Sequence, residues 1–441
     1  MKRNILTLIL IAGVSIALQA EEPSLRLVGG DISLLPSYEQ YNTPYKDNVG
    51  NKMKKTIGIG LAVLLFGIWL PCGKMLGAED VKLLIPARIY AVPGVEMNVY
   101  FQNVVTVVNP ANYVFDVDCA KGRNDLKRWR FTPTEKDVGR WPWKIRVINE
   151  NGTVAEAESE LIVVPATAGN GRKLSLLMIG ASQTAAGHYA NRVTELMKLP
   201  GNPEFTSIGT RGRGPGRHEG YGGWRWSSFL TRWGFTGKNK MDGMHPNRPV
   251  GFNSPFLFAG ADGKGVFDLE QYFRNNNGGK VPDAVSFQLG LNDFFLADDS
   301  SIARVTAESI KNMEQLIARF RQLKPAPEIF VFQHIPGSNQ DGFGKNYSCG
   351  RTSFQYRKNL DYYNRALLKK SRELNFHIVP MYINLDTENN YPLLEQEINK
   401  GNPGKVQRQN NGVHPAKPGY YQMGDTLYCV LKGWLAEKKL P

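Results

Sequence analysis

Hydrophobic and polar positions divide the chain into three stretches with different periods. Residues 1–78 carry two short apolar runs, 5–18 and 57–70. Each follows a basic start (Lys2-Arg3, Lys54-Lys55), and each is followed by small residues and an acidic pair, Glu21-Glu22 or Glu79-Asp80. Basic start, apolar core and small-residue exit are the parts of a secretory signal peptide. Neither run reaches the ~20 residues needed to cross a bilayer, so no stable membrane span is expected. From 79 to 166 the period is two: Val81-Lys-Leu-Leu-Ile, Met97-Asn-Val-Tyr-Phe, 141–148 and 160–164 alternate, with turn signals at Pro93-Gly94 and Asn151-Gly152. This predicts a small β-sandwich as an accessory domain. Ala166 to Gly171 reads as a small-residue linker. From 172 to 441, apolar strands (173–179, 284–289, 328–333, 376–382) alternate with helical segments (185–198, 302–323, 356–374, 419–437). Alternation at this spacing predicts an α/β domain with a parallel sheet covered on both faces, its functional residues at the carboxyl ends of the strands.

The duplicated leader has a consequence of its own. Two export signals in series make little physical sense, and Gly29 to Glu39 resembles the opening of a family 53 endo-galactanase. The expectation is that residues 1–52 are extraneous, and that the functional protein starts at Met53 and is cleaved near Ala78. A mature N-terminus near Glu79 in the exported protein checks this; one near Glu21 contradicts it. Either way the expected location is secreted or periplasmic.

Composition narrows the function classes. Of 441 residues 42% are hydrophobic, ordinary for globular protein, and the formal charge is +14. Eight basic and five acidic residues precede Glu79, so the remainder still carries +11. Such a charge suits an acidic polymer, but the Lys and Arg are dispersed and no zinc-finger or RNA-binding motif appears, so nucleic acid is not an expected partner. The four cysteines (Cys72, Cys119, Cys349, Cys429) are too far apart for a metal cluster. A Cys349–Cys429 pair and free buried thiols are both open readings. No metal or cofactor is expected, because the acidic residues show no ligand spacing.

The candidate chemistry centres on Leu174-Ser-Leu-Leu-Met-Ile-Gly-Ala-Ser-Gln-Thr184. An apolar strand ends at Gly180-Ala181, and Ser182 follows at once before a helical segment. On such a turn a hydroxyl stands clear of the sheet while its backbone N–H points from a helix N-terminus. A serine is equally an ordinary N-cap. Three later pieces shift the balance: His218-Glu-Gly-Tyr-Gly-Gly-Trp-Arg-Trp226, Gly290-Leu-Asn-Asp293 and Asn411-Gly-Val-His-Pro415. A serine needs a base. Of six histidines, His414 sits in a Pro-bounded turn before the last helix. His218 is its main rival and His188 and His334 lesser ones, while His245 and His377 have no motif context.

Together the four pieces resemble the four blocks of the SGNH (GDSL-type) hydrolases, over about 173–441. The resemblance implies a three-layer α/β/α, flavodoxin-like domain. It implies Ser182 as nucleophile and His414 as base. It also implies an oxyanion hole made of the N–H of Ser182, the N–H of Gly223 and the side-chain amide of Asn292. Two departures stand out: Gly-Ala-Ser replaces Gly-Asp-Ser, and Asn411 stands where the family has Asp. Asn411 can orient an imidazole through its carbonyl oxygen but brings no full charge. The open alternatives are a Ser182–His414 dyad steadied by Asn411 or a backbone carbonyl, a carboxylate borrowed from Glu219, Asp293 or Asp386, or a weakened enzyme.

Tyr221, Trp224, Trp226, Phe229 and Trp233 crowd the segment beside Gly223. Aromatic faces suit sugar C–H surfaces, and the block is similar to its version in carbohydrate-active SGNH esterases, so Tyr221, Trp224 and Trp226 are candidate substrate-binding residues; some of the rings must be core. Phe131 to Gly139 resembles the E–F corner of immunoglobulin-like sandwiches, in which Trp141 and Trp143 either bind glycan or fill the core. The expected function is a secreted esterase removing acetyl or another small acyl group from an acylated plant cell-wall polysaccharide or oligosaccharide. A non-catalytic carbohydrate-binding protein and a lipid or thioester acylhydrolase are the alternatives.

Overall fold

A computed structural model describes residues 81–234, 252–339, 343 and 350–438. Both signal-like segments, the galactanase-like stretch, Cys72, His245 and Cys349 lie outside them. Six strands form the central sheet: β1 (Lys173–Gly180), β2 (Glu204–Ile208), β3 (Glu219–Gly220), β4 (Ala284–Gln288), β5 (Glu328–Gln333) and β6 (His377–Pro380). All pair in parallel. Their order is β2-β1-β4-β5-β6, with β3 taking over from β2 beside the last residues of β1. Apart from β3 this is the flavodoxin-like order, and the progression reverses between β1 and β4. Ligands of such sheets bind outside the carboxyl ends at that reversal.

Side-chain period two explains why β1 is a strand and why it is central. Leu174, Leu176 and Met178 enter one apolar cluster, and Leu177 and Ile179 enter the other. The covering helices are α1 (Ser182–Ala185), α2 (His188–Met197), α3 (Trp226–Thr231), α4 (Leu269–Asn276), α5 (Leu291–Phe294), α6 (Ile302–Arg321), α7 (Ser353–Leu374) and α8 (Lys417–Glu437). Tyr189 and Val193 of α2 and Leu427 and Leu431 of α8 cover the first face. Ile310, Met313 and Leu316 of α6 cover the second. The helix expected over 185–198 is broken: Gly187 adopts φ +75°, so α1 is a single turn. No helix among the described residues is long and apolar enough to cross a membrane.

Residues 82–163 form two packed sheets and a short antiparallel pair, Lys82–Leu83 with Val105–Thr106. One sheet has strands Arg88–Ala91, Gly152–Val163, Gly139–Asn149 and Val114–Asp118 in that order, and the other Met97–Tyr100, Arg128–Phe131 and Arg123–Asn124. Trp129 of the second sheet meets Trp143 of the first edge to face at 6.1 Å. Trp143 is 1% exposed and fills the core, the second of its two readings. Trp141 is half-buried beneath the Lys121 ammonium, 4.3 Å above its ring.

The sandwich is welded to the α/β domain and shares its first apolar cluster. Asn384 Oδ1 accepts the backbone and side-chain N–H groups of Asn98, both at 2.9 Å. Arg357 on α7 donates to the carbonyls of Gln102 and Val105. The buried Lys432 ammonium on α8 donates to Ala166 O (2.7 Å), Ala168 O and Asn202 Oδ1 (2.8 Å), so the small-residue linker is docked along its course. Cys429, on the same helix, is a free, fully buried thiol.

Candidate active site

Three strand ends meet at the sheet's reversal point. β1 delivers Ser182, β3 leads into Gly223, and β4 leads into Asn292. Tyr221 N–H donates to Gly180 O at 3.0 Å and Ala181 N–H to Gln288 O at 3.3 Å, so both neighbouring segments are tied to the Ser182 turn. A Cβ at Gly180 would collide with the Thr184 side chain and approach Gln288 O to 3.1 Å, so only glycine lets the turn close here.

His414 lies on the loop between Gln409 and α8, far along the chain. Its Nε2 stands 2.8 Å from Ser182 Oγ. This is hydrogen-bond distance, the geometry a base needs to take the hydroxyl proton. Asn411 Oδ1 accepts the backbone N–H groups of Val413 (3.1 Å) and His414 (2.8 Å). Asn411 thus shapes the turn that carries His414.

Gly223 has φ +77°, at the third position of the turn Tyr221–Trp224, which the Trp224 N–H to Tyr221 O bond closes at 3.3 Å. That position of a type II turn requires a positive φ, which explains glycine. Asn292 Nδ2 donates to Trp224 O at 2.9 Å, using one of its two amide hydrogens and locking the Gly223 turn to α5.

The family model GDSL-like Lipase/Acylhydrolase matches residues 176–427, more than half the chain. The chain belongs to this family. No curated relative matches it. Similar solved structures include a putative arylesterase from Agrobacterium tumefaciens str. C58, 17% identical over 59% of this chain and 99% of that one, at TM-score 0.35. A carbohydrate acetylesterase family member from Sinorhizobium meliloti is 15% identical over 59% and 99%, at TM-score 0.34. A gut microbial diltiazem-metabolizing enzyme is 14% identical over 49% of this chain at TM-score 0.29, and this chain spans 38% of its length.

In this GDSL-like acylhydrolase the other histidines are placed differently. His218 is buried and accepts the Gly220 N–H at Nδ1. His334 is buried with Nε2 on Leu289 O at 2.9 Å. His188 packs on Tyr420, and His377 lies beside Glu328. Of the three carboxylates open as substitutes, Glu219 and Asp386 are engaged by other groups. Glu219 accepts from Thr210 N and Oγ1, Tyr221 OH and Tyr272 OH. Asp386 accepts from Glu388 N and from Asn389 N and Nδ2. Asp293 lies near Ser309 and the Trp226 backbone, with its Oδ2 buried and without a hydrogen-bond partner.

The aromatic trio is a correction to the sequence reading. Trp226 is 0% exposed and gives its indole N–H to Tyr363 OH at 3.0 Å. Tyr221 and Trp224, 5% and 3% exposed, stack on each other at 4.0 Å. Their faces meet protein, so none is an open platform for a sugar. They stiffen the Gly223 turn instead.

Two residues went unnoticed in the sequence. Gln288 Nε2 donates to Gln183 Oε1 at 2.6 Å, and Gln183 Nε2 donates to Val413 O at 2.9 Å, all of it buried. This chain of amides connects β4, the Ser182 turn and the residue before His414. Among the described residues no three His, Cys, Asp or Glu side chains converge as a metal site would require.

Burial lowers the pKa of His218 and His334 from 6.5 to about 4. An unfolded chain takes up these two protons as pH falls from 6.5, while the fold refuses them until about 4. Burial raises Asp293 to about 7, which acts with the opposite sign between 3.8 and 7. Two imidazoles outweigh one carboxyl, so stability should drop by about 2 kcal/mol between pH 7 and 4.5. Thermal melts at the two pH values check this, and an equal or higher Tm at pH 4.5 contradicts it.

Proposed function

We propose that the protein is a serine esterase, acting outside the cytoplasm, that removes acetyl or another small acyl group from a plant cell-wall polysaccharide. The observation that carries the reading is the 2.8 Å contact between Ser182 Oγ and His414 Nε2 at the sheet's reversal point. His414 takes the hydroxyl proton as Ser182 Oγ attacks the acyl carbonyl. The tetrahedral oxyanion is met by the N–H groups of Ser182 and Gly223 and by the second amide hydrogen of Asn292. Imidazolium then protonates the departing sugar oxygen, leaving the acyl group on Ser182. A water, deprotonated by the same imidazole, releases the acid and restores the serine.

Acetate release from acetylated pectin, xylan and galactan, by wild type and Ser182→Ala side by side, tests the reading. Release by the wild type alone supports it. Hydrolysis of p-nitrophenyl acetate without acetate release from any polymer would point to the lipid or thioester alternative. No hydrolysis of either would leave a binding protein.

Asn411 gives a sharper expectation. A carboxylate at this position would accept the same two backbone N–H bonds, so Asn411→Asp should leave turnover within about tenfold of wild type. A larger rise, beyond about 1.4 kcal/mol of barrier, would mean that the imidazole lacks a charge in the native enzyme.

A further inference from the structure

Residues 211–232 hold five arginines (Arg211, Arg213, Arg217, Arg225, Arg232) and one acid, the buried Glu219. Arg217 is spent on the loop itself, donating to the carbonyls of Gly209, Gly212 and Thr210. Arg211 differs. Its guanidinium lies between two rings, 4.8 Å from the centroid of Tyr221 and 4.7 Å from that of Phe252. Its Nε is buried without a hydrogen-bond partner, and among the described residues the guanidinium forms no ion pair.

Desolvating one edge of a cation without an anion is unfavourable, and ring faces recover only part of the loss. Yet the fold goes to some length to keep the group there. The backbone of Arg211 pairs with His218 in both directions, at 3.1 Å each way. Tyr221, beneath the guanidinium, opens the turn that carries Gly223, and Arg232 lies 5.4 Å from the ring of Trp224, the partner on which Tyr221 stacks. A cation–ring–ring–cation stack thus borders the turn of Gly223, the proposed oxyanion donor. Among the described residues no carboxylate completes it. The planar guanidinium is the side chain best matched to a carboxylate, which it can take through two parallel N–H bonds.

We infer that Arg211 binds the carboxylate of an acidic sugar, so that the preferred substrate is an acylated glycan containing uronic acid. The inference rests on the polysaccharide-esterase reading and narrows its substrate class.

Calorimetric titration of the full-length protein with oligogalacturonate and with its neutral methyl ester tests it. For the wild type, Kd for the acid should be at least about tenfold below that of the ester, with the gap closing at high salt. Arg211→Gln should shrink the gap to within about twofold, and Arg211→Lys should fall between, because a point charge lacks the two-pronged geometry. Equal Kd values in the wild type overturn the inference whether or not the variants fold, and so does a gap that survives intact in a folded Arg211→Gln. Binding of neither sugar would overturn the polysaccharide reading with it, whereas equal binding of both overturns the carboxylate assignment alone.

Discussion

Ser182→Ala and His414→Ala should each lower kcat on p-nitrophenyl acetate by at least about 10⁴-fold, or ~5.4 kcal/mol of barrier. The double variant should be little worse than either single one. The reason is the sharing of one proton: with the hydroxyl gone nothing attacks, and with the imidazole gone the hydroxyl keeps its proton. Groups that act as a unit show this non-additivity. Residual hydrolysis over water would come from the oxyanion donors alone. Additive losses would mean that serine and histidine serve separate steps. Neither residue is deep in the core, since both are half-buried at the rim, so the variants should fold.

The second large effect is expected at Asn292. One amide hydrogen holds Trp224 O, and in the proposed mechanism the other meets the oxyanion. Asn292→Ala should cost about 10²- to 10³-fold in kcat, the range found when one oxyanion donor is removed. KM should change much less, because a carbonyl in the ground state gains little from that donor. A loss confined to KM would instead assign Asn292 to holding the Gly223 turn. Asn292→Asp is the informative companion: it keeps the shape, removes the donor and brings a negative charge toward a negative oxygen. It should be at least as poor as alanine.

Much of this arrangement was readable along the chain, for a physical reason. A fully buried strand such as β1 must be apolar on both sides, and the run from Leu174 to Ile179 has no helical spacing. β4 and β5 are legible likewise, and α6 and α8 from their long amphipathic or apolar patterns. Shorter elements escape. β2 alternates exposed and partly covered residues over Glu204 to Ile208, and β3 is only two residues long. The break at Gly187 was hidden because one glycine inside a helical pattern is ordinarily tolerated.

Side-chain direction was the larger gap. The sequence names Tyr221, Trp224 and Trp226 as aromatic but does not say that they turn inward, because core and platform draw on the same residue types. The amide chain from Gln288 through Gln183 to Val413 O left no trace at all. A buried glutamine looks like any surface glutamine until its partners, over 100 residues away, are brought to it. The same holds for Asn384, which ties the sandwich to the α/β domain, and Lys432, which docks the linker, through contacts between segments far apart in the chain. Asn411 was recognisable as the missing carboxylate's place, but its two backbone bonds depend on the loop's shape.

The central claim is that Ser182, activated by His414, becomes covalently acylated. Peptide mass mapping after reaction with an alkyl fluorophosphonate tests it most directly. The account predicts one adduct, on the peptide containing Ser182, absent from Ser182→Ala and formed far more slowly by His414→Ala. An actively hydrolysing protein that carries the adduct on another residue, or none, would contradict it.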